Sequence, residues 1–289
     1  MAEKDIAEKI LLNYNDVFSD IVNALIFKGE QRISPDSLSD KMVHAQYKAQ
    51  TGKLHEEERD ILKEWKECGI EIALWGLENQ TKPYRYMPAR IIGYDGASYR
   101  EQLQDKLLPS LKPVVTLVLY FGNKRWTEPT TLKELFGNYA PELTEYVNDY
   151  KIHVFEIAWL SEEELNRFHG DFKVVANFFV KKRINKDYIP DDPTELQHVD
   201  AVLKLLSVMT GDRRYEEILV TGERRIRTMC EVAERLEKKG IAQGKAEGIA
   251  IGKAEAETSI FERVTANYMK ADPSLTRQEA EEKARAILR

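Results

Sequence analysis

Residues 113–122 read Pro-Val-Val-Thr-Leu-Val-Leu-Tyr-Phe-Gly, a continuously apolar, β-rich run without polar alternation. A strand buried on both faces has this signature, so the run predicts the middle of a covered sheet. Upstream, Arg59–Trp65 and Ile70–Gln80 read as two strands joined by the turn Lys66-Glu67-Cys68-Gly69. A hairpin folded near Cys68 and Gly69 pairs residues whose numbers add to about 137, which brings Asp60 close to Leu77 and Glu78. Lys151–Leu160 fits a further strand. Residues 5–28 carry Ile6, Ile10, Leu11, Val17, Ile21, Ala24 and Leu25 near helical spacing. Residues 30–58 read as polar and irregular, with a short helix before Arg59. Pro88 suits the first turn of a helix running to about Leu108. The order up to residue 160 is therefore helix, strand, strand, helix, strand, small helical insert, strand, which predicts an α/β sheet with helices packed on it.

Helices dominate the rest. Ser161 with Glu164 makes a capping-box pattern that opens a helix toward Arg183, with Gly170 as an interruption. Thr194 to about Thr210 is apolar-periodic and stops near Gly211-Asp212. A long charged segment runs from Glu223 to about Lys270, and Thr276 with Glu279 opens a last short helix. Within the long segment Gly240, Gly244, Gly248 and Gly252 recur every four residues. Each glycine costs a helix about 0.8–1.0 kcal/mol relative to alanine. Two readings of that cost stand side by side: a packing or self-associating helix of coiled-coil type, and a mostly solvated tail. The expected divisions are residues 1–190 as a core, 191–222 as a helical extension and 223–289 as the glycine-repeat helix with its terminal short helix.

Composition narrows the class. The chain has 289 residues, 43% hydrophobic and 32% charged, as expected of a globular protein with highly charged helices. No apolar run approaches the roughly 20 residues needed to cross a bilayer. Met1-Ala2-Glu3-Lys4-Asp5 lacks the apolar core of a signal peptide. Cys68 and Cys230 stand far apart, which reads as a reduced, cytoplasmic protein. The five histidines show no close metal-ligand spacing. Nucleotide-binding glycine loops and a GxSxG elbow are absent. The net charge of −6 disfavours a general nucleic-acid binder, so any phosphate binding needs a local concentration of cations.

The candidate chemistry lies at the end of the hairpin. Glu78 and Gln80 are two apart and share one strand face. With Asp60 they bring two carboxylates and an amide together, a set able to hold a divalent cation and the water it activates. A D…ExQ pattern is short, and it also fits a turn-ending aspartate with a solvated glutamate. The next stretch, Thr81 to Arg90, carries Lys82, Arg85 and Arg90 with Tyr84 and Tyr86 and no acid. Such a stretch suits phosphate contact, and it equally suits an exposed loop.

Arg59-Asp60-Ile61-Leu62, Gly76-Leu77-Glu78-Asn79-Gln80-Thr81, Met87 to Asp95 and Pro113 to Gly122 together resemble the recombination-promoting nuclease/putative transposase family of the PD-(D/E)xK nuclease superfamily. The similarity continues through Phe155-Glu156-Ile157-Ala158, Leu203 to Gly211 and the glycine-repeat tail. It implies a restriction-endonuclease-like mixed sheet flanked by helices, followed by a mostly helical C-terminal region. It also implies Mg²⁺- or Mn²⁺-dependent cleavage of DNA in recombination or transposition. The superfamily's two acidic positions fall on Asp60 and Glu78, and Gln80 stands where lysine is usual. Glutamine orients water through hydrogen bonds but brings no charge. A backbone carbonyl near Asn79 is the implied further ligand, with Asp16 or Asp20 as the first-helix acid and Asp16 narrowly preferred. Lys82, Arg85 and Arg90 are the implied DNA contacts. The competing reading is a DNA-binding or assembly module that keeps the fold without cutting. A third is an oligomeric partner acting through the glycine-repeat helix.

Overall fold

The computed structural model describes residues 7, 9–41, 44–48, 54–58, 61–77, 84–220 and 226–288. Two compact units divide the chain, residues 1–233 and residues 234–289. The first contains α1 (Asn15–Leu25), β1 (Leu38–Asp40), β2 (His44–Lys48), β3 (Leu54–Glu58), β4 (Ile61–Trp65), β5 (Ile70–Leu77), α2 (Met87–Gln102), β6 (Val114–Tyr120) and β7 (His153–Glu156). There follow α3 (Glu162–Leu165), α4 (Asp171–Ile184), α5 (Val199–Thr210) and α6 (Arg214–Val220). The long α7 (Met229–Ala271) begins in the first unit, and α8 (Arg277–Ile287) lies in the second.

One sheet of five strands runs β1-β4-β5-β6-β7. Its β1, β4 and β5 are antiparallel, and β5, β6 and β7 are parallel. The α/β class, the helix-flanked mixed sheet and the helical C-terminal region agree with the sequence expectation. The apolar run forms β6 with a strand on either side, and its Leu117, Val118, Leu119 and Tyr120 are all buried. On one face Val118 and Tyr120 pack on Met87, Ile91 and Tyr94 of α2. On the other, Phe121 meets Phe172 and Phe179 of α4.

The β4–β5 hairpin closes through Lys66–Gly69, with Gly69 at φ 59. Its register differs from the expected one. Ile61 faces Leu74 and Trp65 faces Ile70, so paired numbers add to 135 rather than about 137. The turn is centred between Glu67 and Cys68, one position earlier than assumed. A shift of two keeps every side chain on its face but moves each partner about 7 Å along the strand.

Other expectations are corrected. The first helix is not continuous. Helical residues 9–12 end at Asn13, and Tyr14 is extended (φ −67, ψ 130) before α1 begins. Tyr14 stacks on His198, with ring centroids 3.6 Å apart, and this packing holds the break. In place of an irregular segment ending in a helix, residues 38–58 supply β1, β2 and β3, with no helix among the described residues there. β1 is a sheet edge and, among the described strands, β2 pairs with β3 alone, so neither needs the apolar alternation that betrays a buried strand. Asp40 of β1 and Lys41 after it are charged for a reason. Lys63 and Glu71 are 1% and 2% exposed, and the partners of these buried charges are Asp40 and Lys41.

Ser161 and Glu164 do form a capping box, but it opens only the short α3. A second helix, α4, starts after Gly170. α5 begins five residues later than the expected Thr194 and ends at Gly211, whose φ is 73. The starts of α4 and α5 are capped by acids from other helices. Asp20 of α1 accepts the N–H groups of His169 (2.8 Å) and Gly170 (2.9 Å). Asp171 of α4 accepts those of Gln197 (2.9 Å) and His198 (2.6 Å). His198 returns to α1, its Nε2 lying 2.9 and 3.0 Å from the Asp16 carboxylate oxygens. Three helices are thus closed into a ring of polar links.

In the second unit Thr276 and Glu279 complete the expected capping box of α8. A Cβ added at Gly240, Gly244, Gly248 or Gly252 would meet nothing within 4 Å. Close packing within the described chain therefore does not account for these glycines.

Candidate functional site

The hairpin aims both of its open ends at one border of the sheet, because β4 enters and β5 leaves there. Asp60 immediately precedes Ile61, the first residue of β4, and Glu78 immediately follows Leu77, the last of β5. Asp60, Glu78, Gln80 and Lys82 lie outside the described residues, as does Asn79. Leu77 pairs with Tyr120, and Tyr120 pairs in turn with Glu156. The ends of β5, β6 and β7 are therefore level along this border.

Arg85 and Arg90 are described. Tyr84, Arg85 and Tyr86 are exposed, and the two tyrosines meet edge to face at 6.1 Å. Met87 and Pro88 behind them are buried and anchor the start of α2. No acid lies in that helix's first turn and, among the described residues, no side chain caps it, which favours anions at its N-terminus. Arg90 is half-buried. It donates from Nε to the Tyr94 hydroxyl at 3.1 Å and lies 5.9 Å from both the Tyr84 and Tyr94 ring centres. Its guanidinium is thus oriented by tyrosines.

The two first-helix acids do different things. Asp16 is half exposed and engages His198. Asp20, the alternative first-helix acid, is 5% exposed and holds the start of α4. Burial raises its pKa above the ordinary 3.8, outweighing the two N–H donors that pull it down. Among the described residues no group of three or more His, Cys, Asp or Glu is placed to hold a metal ion.

Sequence reasoning missed several groups on the same border. Glu156, at the end of β7, accepts from Arg125 (2.8 Å) and from the Trp126 backbone N–H (2.7 Å). The guanidinium groups of Arg125 and Arg183 lie 4.3 and 3.9 Å from the Trp159 ring centre. The Tyr120 hydroxyl is buried with no partner among the described residues, and burial raises its pKa, with Glu156 adding to the shift. These contacts join residues far apart in the chain, and no local pattern announces them. Asp95 is buried on the α2 face, where it accepts from Thr116 Oγ1 (2.7 Å) and from the Tyr150 hydroxyl. It is thereby tied into the core.

Residues 73–206 match the model of the family described as "Putative transposase, YhgA-like", which belongs to the PD-(D/E)xK nuclease-like group. The match supports the resemblance drawn from the sequence. It begins within β5 and ends within α5, so it contains Glu78, Gln80 and the cationic stretch but not Asp16 or Asp60. No curated protein and no solved structure matches the chain.

Proposed function

We propose that this chain is a metal-dependent DNA endonuclease acting in recombination or transposition. The observation that supports it most is the β4–β5 hairpin. Its two open ends leave one sheet border and lead directly into Asp60 and Glu78, within a chain that matches a transposase family. The donor set consists of carboxylate oxygens, which suit a hard cation such as Mg²⁺ or Mn²⁺ better than zinc. Asp60 and Glu78 would hold that ion, which supplies Lewis-acid activation of water and charge neutralisation. Asp16 would join them only by giving up His198. Gln80 would align the attacking water through its amide. Lys82 and Arg85 would hold phosphate oxygens, and Arg90 would do so in the orientation that Tyr94 and Tyr84 set.

Nicking of supercoiled plasmid by Asp60→Ala and Glu78→Ala tests this reading, with Mg²⁺ or Mn²⁺ supplied and folding checked by circular dichroism. Both variants are expected to keep the fold and lose cleavage. Cutting at the wild-type rate by either one refutes the assignment. A second reading, a DNA-binding or assembly module without cleavage, is favoured by Gln80 in the position usual for lysine. DNA binding and thermal stabilisation by metal with no nicking would select it.

A further inference from the structure

A cavity of about 250 Å³ opens at the same sheet border, between the ends of β6 and β7 and the C-terminal ends of α4 and α5. Phe121 and Phe179 form an apolar floor. Lys182, Arg183, Lys186 and Asn123 bring three cations and an amide to its wall, and among the described residues no carboxylate lines it. In a chain of net charge −6 such a wall is a strong local departure. Lysine and arginine at the end of α4 also answer that helix's dipole, but the dipole amounts to only about half a negative charge against three full positive ones. The end of α5 adds a similar half charge, and Asp212 just beyond it interacts with Lys182 but is engaged chiefly by Arg214, so cations still exceed acids around the wall.

We propose that this cavity holds one backbone phosphate of a DNA strand, to the side of the scissile phosphate. The proposal rests on the nuclease reading above and adds a subsite to it. Two strand spacings, about 10 Å, separate the end of β5 from the end of β7. That distance equals roughly three base-pair rises along the axis of a B-form duplex. Arg183 is held in place, because its Nε donates to the Ala158 carbonyl at 2.7 Å and its guanidinium lies over Trp159. Lys186 is exposed and has no carboxylate partner among the described residues. Lys182 reaches the Tyr188 carbonyl only at 3.5 Å and can turn to an incoming anion. Lys182 and Lys186 are the pair that binds by charge, and Arg183 is the rigid element.

The experiment measures binding of a fluorescent duplex to the full-length protein by anisotropy, over a range of KCl concentrations. The protein carries Lys182→Gln with Lys186→Gln, and Lys186→Gln alone guards against loss of fold in the double variant. Lys66→Gln with Lys106→Gln removes the same charge near the opposite border of the sheet and serves as the control. Release of counterions from one phosphate predicts about five-fold weaker binding at 0.15 M salt and a log–log salt slope shallower by about 0.9. The control pair is expected to bind as wild type. Wild-type binding and slope in both Lys186 variants would overturn the cavity site and leave the nuclease reading standing. Equal weakening in the control pair would overturn it too, since any lost charge would then suffice. No duplex binding by the wild-type protein, with or without Mg²⁺, would overturn both.

Discussion

Asp20→Asn probes the ring of helix caps at the link between α1 and the start of α4. The Asp20 carboxylate gives one oxygen to the His169 N–H and the other to the Gly170 N–H, at 2.8 and 2.9 Å. Asparagine retains one acceptor and presents an amide NH₂ to the second backbone donor. A buried donor then loses its partner, at a cost of about 1–3 kcal/mol. For a folded unit of this size, about 2 kcal/mol corresponds to a fall in Tm of roughly 4–8 °C. Urea unfolding followed by tryptophan fluorescence should show a lower midpoint with an unchanged slope. The pH dependence gives the reasoning a sign. Burial raises the folded pKa of Asp20 above 3.8, so the folded state binds this proton more tightly than the unfolded state does. The stability of the wild type therefore declines as pH rises from about 3.8 through that raised value, while the asparagine does not titrate. The gap between wild type and variant should be widest below pH 3.8 and narrower above the folded pKa. A loss under about 0.5 kcal/mol would refute the capping role, and a gap that widens as pH rises through that window would refute the raised pKa by showing that the two N–H donors outweigh burial.

Two further substitutions follow from the same geometry. A Cβ at Gly122 would fall on the hydroxyl and Cζ of the buried Tyr120 ring, so Gly122→Ala should cost about 1–3 kcal/mol by overpacking. Adding Tyr120→Phe should recover part of that loss, and Tyr120→Phe alone should be neutral or stabilising because it removes a buried hydroxyl that has no partner among the described residues; thermal melts of the three variants decide this. Replacing Gly240, Gly244, Gly248 and Gly252 by alanine should raise helix content, at about 0.8–1.0 kcal/mol per site, because each site is open in the single chain. If the glycine stripe joins copies of the chain, the mass from light scattering should fall at the same time, and an unchanged mass would rule out that joining.

What the sequence disclosed depended on how local the cause was. β6 was legible because two covered faces demand an unbroken apolar run. The hairpin turn and the boxes at Ser161 and Thr276 were legible because their partners are only a few residues apart. The hairpin register was misjudged by two because only the turn's centre sets it, and Gly69 drew that centre one position late. β1, β2 and β3 escaped notice because edge and ribbon strands tolerate Ser39, Asp40 and Glu56 to Glu58. The caps supplied by Asp20 and Asp171 could not be read, since their partners lie 149 and 26 residues away at nearest. At the candidate site, Arg90 was singled out by its acid-free neighbourhood, whereas its contacts with Tyr84 and Tyr94 come from the fold. The Lys181-Lys182-Arg183 run passed as an ordinary helix end, because only the sheet brings it beside Phe121 and Asn123.

The strand order carries a lesson for anyone cutting this gene. The segment that matches the transposase family begins at residue 73, inside β5, whereas β1 and β4 are encoded before it. Expressed alone, that piece would present a raw, unpaired β5 flank, an invitation to stick to its own copies. It would also lack Asp20, leaving the start of α4 unfastened. A self-standing fragment of this chain must therefore reach back at least to the first helix.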